Sequence, residues 1–128
     1  MGQSHVARAE VPSILVIGAA GRIGSELLRW PRAAGTLVRA LIHTPSKASA
    51  LAASHVQLVP GDFEDPASRD RAMADIQRVF LLSPPHPRQV ELQGNAVLAA
   101  HRAGVRHIVK LSALGASPDR PLPIPRWH

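Results

Sequence analysis

The segment from Ile14 to Leu28 constrains the fold of this chain more than any other part of its sequence. It reads ILVIGAAGRIGSELL, so an apolar strand runs into three glycines and then into a helix. Gly18 allows a tight turn out of the strand, Gly21 lets backbone approach a pyrophosphate, and Gly24 lets the helix pack closely on the strand. The spacing predicts a dinucleotide-binding turn, although glycines also serve ordinary turns and close packing.

The start of the helix after these glycines suits an anion. Peptide N–H groups in the first turn of a helix point out of its amino end, and the helix dipole favours negative charge there. We therefore predict that the dinucleotide contacts six residues of this turn. They are Gly18, Ala20, Gly21, Arg22, Ile23 and Gly24.

Strand patterns alternate with helical patterns along the rest of the chain. The predicted strands cover residues 13–17, 37–42, 56–59, 78–82 and 105–111, and the predicted helices cover 22–30, 46–53, 66–74 and 88–103. This alternation predicts a Rossmann-like α/β fold, a doubly wound parallel sheet of about five strands with right-handed crossovers. The expected strand order is 3-2-1-4-5, so the loops after strands one and four should share a ligand site where the order reverses.

Local signals predict several helix ends and faces. Asp65 is the expected N-cap of the third helix, with Pro66 at its first position, and Pro31 should end or kink the first helix. Apolar periodicity places one stripe on each of two helices. The first helix is expected to bury Ile23, Leu27 and Leu28, and the long helix carries a stripe of Val90, Gly94, Val97, Leu98 and His101.

Length and composition restrict the class of protein. The 128 residues fit at most one compact domain, which we expect at residues 11–128 after a flexible leader at 1–10. No apolar run reaches the roughly 20 residues that span a bilayer, and no signal-peptide pattern is present, which predicts a cytoplasmic protein without a membrane partner. Cysteine is absent, so neither a disulfide framework nor a thiolate nucleophile is expected.

The charge pattern argues against a nucleic-acid partner. The formal net charge is +6, but the 15 lysines and arginines are scattered, and the four aromatic side chains are not interleaved with them. A solvated basic surface is the better interpretation. The seven histidines lack the helical spacing of a ligand pair, so no metal site is expected.

The end of the second predicted strand bears on cofactor choice. An NAD-binding turn usually has an acid about 20 residues further on, which bonds the ribose 2′-hydroxyl. Here that place holds His43, with Arg22 beside the glycines and Lys47 shortly after. A 2′-phosphate would meet positive charge, which favours NADP(H) over NAD(H); the alternative is that these are exposed basic residues only. The charge of His43 also depends on pH.

Two further loops follow strands that end at the same edge. Asp62 and Phe63 come after the third strand, where they could contact an adenine ring or could form an Asp-capped turn with a core Phe. After the fourth strand, Leu82, Ser83 and Pro84 could line the nicotinamide side, or could simply lead into the next helix.

Ser112 is the tentative catalytic candidate. It ends the fifth strand and could donate to a substrate carbonyl, with Lys110 on the same face if the strand stays regular. The chain has no Tyr that could act as a base, and the alternative is a Ser that caps the strand end.

Four segments together resemble a known family. They are VIGAAGRIG at 16–24, VPGDF at 59–63, VFLLSPP at 79–85 and AGVRHIVKLSALG at 103–115. Their order resembles the NmrA-like, atypical short-chain dehydrogenase/reductase family, especially its members akin to NAD(P)H:quinone oxidoreductase type 2. The resemblance implies an NADP(H)-binding Rossmann domain with the three glycines under the pyrophosphate, the adenine at Asp62 and Phe63, and the nicotinamide near the loop at 82–84.

The resemblance also implies two possible functions. One is the N-terminal, cofactor-binding part of a reductase that transfers hydride to quinone-like or other carbonyl substrates, with the remaining sheet and the substrate lobe supplied by a longer chain. The other is a non-catalytic NADP(H)-sensing regulator or interaction module. In either case the fifth strand would expose an edge that could pair with a second copy to form a homo-oligomer.

Overall fold

The computed structural model describes residues 11–19, 21–29, 35–43, 46, 48–53, 55–62, 64–82, 87–112 and 116–119. Five parallel strands form one sheet: β1 Ile14–Ile17, β2 Val38–Ile42, β3 Val56–Pro60, β4 Arg78–Leu81 and β5 His107–Lys110. The helices between them are α1 Arg22–Leu27, α2 Ala48–Leu51, α3 Pro66–Met73 and α4 Gln89–Arg102. The predicted leader at 1–10 lies outside the described residues.

The strand order is β3-β2-β1-β4-β5, which confirms the predicted topology. Ile14 of β1 is in register with Val38 of β2 on one side and Arg78 of β4 on the other. The order reverses between β1 and β4, so the carboxyl ends of these two strands lie side by side. A doubly wound sheet binds its ligand at this position.

The sheet is covered on both faces, because successive side chains of a strand point in opposite directions. Leu15 and Ile17 of β1 pack with Met73 of α3 and with alanines of α4. Val16 of the same strand belongs to the cluster on the other face, which includes residues at the end of α1 and in α2. All five residues of β2 are buried, as expected for an inner strand with both faces covered.

The predicted start of the third helix is confirmed. The Asp65 side chain accepts a hydrogen bond from the backbone N–H of Ala67 at 3.1 Å, and Pro66 occupies the first turn. The first two helices are shorter than the sequence predicted. Helix α1 ends at Leu27, and the residues around Pro31 lie outside the described part of the chain.

Two predicted apolar faces are oriented differently in the structure. Ile23 is 53% exposed, so the expectation that it is buried was wrong. Gly24 and Leu28 form the inward side of the first helical segment instead, because Gly24 permits contact with the glycine turn. The stripe predicted on the long helix faces away from the sheet, and its members Val90, Val97 and Leu98 are exposed.

The inner face of α4 explains that orientation. Its buried residues are Gln89, Gln93, Ala96, Ala99 and Ala100, spaced at helical intervals. Three of the five are alanines, whose small side chains let the helix axis lie close to the sheet. The larger Val and Leu side chains therefore lie on the outside of the helix.

Arg39 is a buried charged residue in the middle of β2, with 8% of its surface exposed. One guanidinium nitrogen, Nη1, donates to the carbonyls of Ala72 and Ala74 at 2.8 and 2.7 Å, and Nε donates to Gln57 Oε1 at 2.7 Å. Burial lowers the pKa of Arg39, and the charge of Asp75 opposes that shift. Arg39 thus holds the carboxyl end of α3 against the sheet, where a positive charge is favoured by the helix dipole.

Candidate functional site

The glycine turn lies at the carboxyl end of β1, against the end of β4. Gly18 has φ +86°, a left-handed conformation that favours glycine, and its carbonyl accepts from the Gly21 N–H at 3.2 Å. A Cβ at Gly18 would lie 2.8 Å from the Leu82 Cβ. Leu82 in turn donates its N–H to the Ile17 carbonyl at 3.0 Å. The loops after β1 and β4 therefore meet, as the predicted topology requires.

Gly24 and Gly21 are required for different reasons. A Cβ at Gly24 would strike the Gly18 carbonyl oxygen and lie 2.7 Å from the Ala19 Cα, so glycine there is a packing requirement. At Gly21 the backbone is extended, and a Cβ would meet only the Gly18 oxygen at 3.4 Å. The fold itself does not need glycine at Gly21, which is exposed. An open backbone surface at this position fits the close approach of a pyrophosphate.

Helix α1 starts directly after this open surface. Gly21 is its N-cap and offers no side-chain hydrogen bond to the first-turn amides. The Ser25 hydroxyl turns back to the Arg22 carbonyl at 3.0 Å, and the side chains of Arg22 and Ile23 are exposed. Gly21 thus gives the first-turn backbone no side-chain cap, and a cationic and an apolar side chain lie beside that backbone.

His43 and Asp62 lie together at the carboxyl ends of β2 and β3. His43 Nε2 is 3.7 Å from Asp62 Oδ2, and the two side chains are 74% and 47% exposed. The other carboxylate oxygen of Asp62 accepts from the Glu64 N–H at 2.9 Å, while the Asp62 N–H donates to Ser68 Oγ at 2.9 Å. Asp62 therefore caps a local turn and also presents charge to His43.

Sequence reasoning missed the residues that fix this loop. Ser68 is buried in the first turn of α3, and a Cβ at Gly61 would lie 2.5 Å from its Oγ. The Gly61 N–H donates to the Ile42 carbonyl at 3.0 Å, which joins the end of β3 to the end of β2. A hydroxyl three positions after the Asp65 cap was the available signal, because it can reach back to the preceding loop.

Arg88 is a second missed residue at this edge. It pairs with Glu64 from the loop after β3 and makes two hydrogen bonds to Glu91, at 3.0 and 2.8 Å. The hydrogen bonds to Glu91 raise the pKa of Arg88 and lower the pKa of Glu91. Arg88 connects the starts of α3 and α4, and its spacing of three residues from Glu91 was the only sign of this in the sequence.

Ser112 lies apart from the glycine turn. It is exposed, two residues past the end of β5, and β4 separates β5 from β1. Burial lowers the pKa of nearby Lys110. The other predicted contacts Ala20, Lys47, Phe63, Ser83 and Pro84 lie outside the described residues.

Comparison with protein families matches residues 18–128 to the family described as NAD(P)H-binding. The chain belongs to this family. The match begins at the first glycine of the turn and confirms the NmrA-like resemblance inferred from the four segments.

Individual proteins to which this chain is similar agree with this assignment. The chain is 39% identical over 114 residues to an NAD(P)H azoreductase from Xenophilus azovorans, covering 89% of this chain and 40% of that protein. The triphenylmethane reductase of Citrobacter sp. complexed with NADP(H) superposes with a TM-score of 0.77 at 30% identity, over 91% of this chain and 42% of that one. An NADPH-dependent quinone oxidoreductase from Escherichia coli, complexed with NADPH, gives a TM-score of 0.76 at 27% identity, over 90% and 41%.

The chain therefore spans about two fifths of the length of these relatives. What it shares with them is the NAD(P)H-binding Rossmann domain. Among the residues that the structure describes, no group of three or more His, Asp or Glu is arranged to hold a metal ion. None of the described helices is long and apolar enough to cross a membrane.

Proposed function

We propose that this chain is the NADP(H)-binding portion of a reductase that passes hydride from the cofactor to a conjugated, electron-poor acceptor. The observation that carries the proposal is the glycine turn at the β1/β4 junction, with an open backbone surface at Gly21 that the fold does not require. Its family supplies the cofactor class, and the relatives named above are a quinone oxidoreductase, an azoreductase and a triphenylmethane reductase.

The proposed cofactor site has four parts. The pyrophosphate would lie over the glycine turn and the start of α1, and the 2′-phosphate would be held by positive charge at the end of β2. The adenine would lie beside the loop after β3, and the nicotinamide beside the loop after β4. The proposed contacts are Gly18, Ala20, Gly21, Arg22, Ile23, Gly24, His43, Lys47, Asp62, Phe63, Leu82, Ser83 and Pro84.

The cofactor, when bound, supplies the hydride; the protein binds it, orients it and keeps water away from it. The described residues account best for binding of the cofactor. Leu82 is buried against the glycine turn, where it would form the floor of the site beneath the cofactor. Ser112 remains the proposed donor to a substrate oxygen, with the Lys110 ammonium as the nearest proton source along the chain.

A chimera tests the reductase proposal. The 128-residue chain would be compared with the same chain followed by the C-terminal part of the Xenophilus azovorans azoreductase, both assayed for NADPH oxidation with a quinone and an azo dye. We expect NADPH binding by both proteins and turnover by the chimera alone. Turnover by the 128 residues alone would contradict the view that the substrate side lies elsewhere.

A sensor or interaction module is the second candidate. The absence of Tyr from the chain favours it, because no phenol is available to protonate a substrate oxygen. In that case NADP(H) would bind to the chimera without turnover of any acceptor, and cofactor binding would change self-association or affinity for a partner. The solution mass of the chain with and without NADP⁺ measures the first of these effects.

A further inference from the structure

His43 and Asp62 lie together at the ends of β2 and β3, and the structure fixes one of the two side chains more than the other. Asp62 is fixed, because one carboxylate oxygen accepts from the Glu64 N–H and its own N–H is bound by the buried Ser68 hydroxyl. His43 is adjustable, because its ring is exposed and lies 3.7 Å from the other carboxylate oxygen. That separation suits an ion pair and is too long for a direct hydrogen bond.

The neighbouring charges at this edge are constant near neutral pH. Arg22 at the start of α1 is permanently positive. Glu64, in the loop with Asp62, is paired with Arg88, which also binds Glu91. Histidine is the side-chain type whose charge changes near neutral pH, and His43 is the histidine in the described part of these loops.

The position of His43 gives that charge a chemical consequence. A dinucleotide site with an acid at the end of the second strand binds the ribose 2′-hydroxyl, and one with an Arg nearby binds a 2′-phosphate at any pH. An imidazole can do either. Its protonated form attracts a phosphate, and its neutral form can hydrogen-bond a hydroxyl.

We infer that His43 makes the choice between NADP(H) and NAD(H) depend on pH, with NADP(H) favoured in acid and the discrimination lost in base. The inference rests on the proposed function, since it refines the same cofactor site. Because linkage is reciprocal, a 2′-phosphate should also favour the protonated state of His43, and a 2′-hydroxyl should not.

The test is a calorimetric titration of the full chain with NADP⁺ and NAD⁺, which tolerate acid, at constant ionic strength between about pH 6 and pH 8. His43→Arg supplies a fixed charge and His43→Gln supplies none. Because the charge of Arg is constant, the pH dependence of NADP⁺ binding by His43→Arg measures the protonation of the 2′-phosphate itself, which occurs at about pH 6. Two controls are His107→Gln, at the amino end of β5, and His101→Gln, in the last turn of α4.

For the wild type we expect the Kd of NADP⁺ to rise about tenfold across this range, and that of NAD⁺ to change less than about twofold. His43→Arg should bind NADP⁺ tightly with only the dependence due to the phosphate, His43→Gln should bind it weakly throughout, and both controls should match the wild type. NMR of the His43 ring should show its titration midpoint raised by NADP⁺ and unmoved by NAD⁺.

Two results would overturn the inference while leaving the cofactor site intact. One is NADP⁺ binding whose pH dependence is the same in the wild type and in His43→Arg. The other is a loss of NADP⁺ affinity with rising pH that is as large in His43→Gln as in the wild type. Failure of the folded wild type to bind either dinucleotide at any pH would instead overturn the proposed function, and the inference with it.

Discussion

Strands β2 and β5 illustrate two different halves of this molecule. Every residue of β2 is buried, whereas His107, Ile108 and Val109 of β5 are exposed. In the described part of the chain, no strand pairs with the outer edge of β5, and α4 beside it carries exposed Val and Leu side chains. Strand β2 is thus an inner strand with both faces covered, like β1 beside it, whereas β5 is an edge strand with exposed side chains. The glycine turn follows β1 and therefore lies on the inner part of the sheet.

The largest expected effect tests whether the glycine turn is packed as tightly as the inner strands. Gly24→Ala would drive a methyl group into the Gly18 carbonyl and toward Ala19, so we expect a loss of about 3 kcal/mol in the free energy of unfolding. Urea denaturation followed by circular dichroism measures this. An unchanged unfolding midpoint would show that the turn is not packed as described.

Gly21→Ala is the matched comparison within the same turn. Its methyl group would meet only the Gly18 oxygen at 3.4 Å, so unfolding should stay within about 0.5 kcal/mol of the wild type. NADPH affinity should nevertheless fall at least about tenfold, because the methyl group would occupy the surface proposed for the pyrophosphate. Equal losses of stability in the two variants would remove the distinction between them.

Arg39→Met tests the burial of the inner strand. The substitution leaves the carbonyls of Ala72 and Ala74 without their charged donor, and we expect destabilisation of about 2 kcal/mol in urea unfolding. Arg78→Met is the control, since Arg78 is exposed at the start of β4 and should change stability by less than about 0.5 kcal/mol. If both variants lowered the free energy of unfolding equally, Arg39 would not hold α3 against the sheet.

The features that could be predicted from the sequence are those set by neighbouring residues. The glycine turn, the Asp65 cap and the strand order follow from local spacing and from the alternation of strands with helices. Arg39 could not be recognised, because its two carbonyl partners lie 33 and 35 residues away. His43 was predicted as a contact of the 2′-phosphate and Asp62 as a contact of the adenine. Their proximity to each other depends on the register of β2 with β3.

The face of α4 shows a different limit. Hydrophobicity alone marks Val90, Val97 and Leu98 as core, but a helix that lies close to a sheet needs small side chains, so Ala96 and Ala99 are the buried residues. Periodicity found the stripe correctly and could not tell which of two apolar stripes faces the sheet. Volume, as well as polarity, decides that orientation.

Two substitutions on adjacent residues sharpen this point. Ala99→Leu inserts a large side chain between α4 and the sheet, and we expect a cost of about 2 kcal/mol in thermal unfolding. Leu98→Gln removes an exposed apolar group and should alter stability by less than about 0.5 kcal/mol. The opposite ranking would mean that the outer stripe of α4 is the buried one.

The smallest expected effect concerns the exposed pair of Arg88 and Glu91. The pKa of Glu91 is lowered by Arg88 from an ordinary value of 4.5, so its contribution to stability is present above that value and is lost as the pH falls through the lowered pKa. Glu91→Gln should therefore be slightly less stable than the wild type at about pH 7, and equal to it at about pH 2. Urea unfolding at the two pH values checks this, and a difference that grows in acid would contradict it.

The central claim, that the glycine turn of this chain forms the pyrophosphate part of an NAD(P)H site, is tested most directly by titrating the 128-residue protein with NADPH and following cofactor fluorescence. We predict saturable binding of one NADPH per chain in the wild type, and at least about tenfold weaker binding in the folded Gly21→Ala variant. Equal NADPH affinity in the two proteins, or no binding by the folded wild type, would contradict the account.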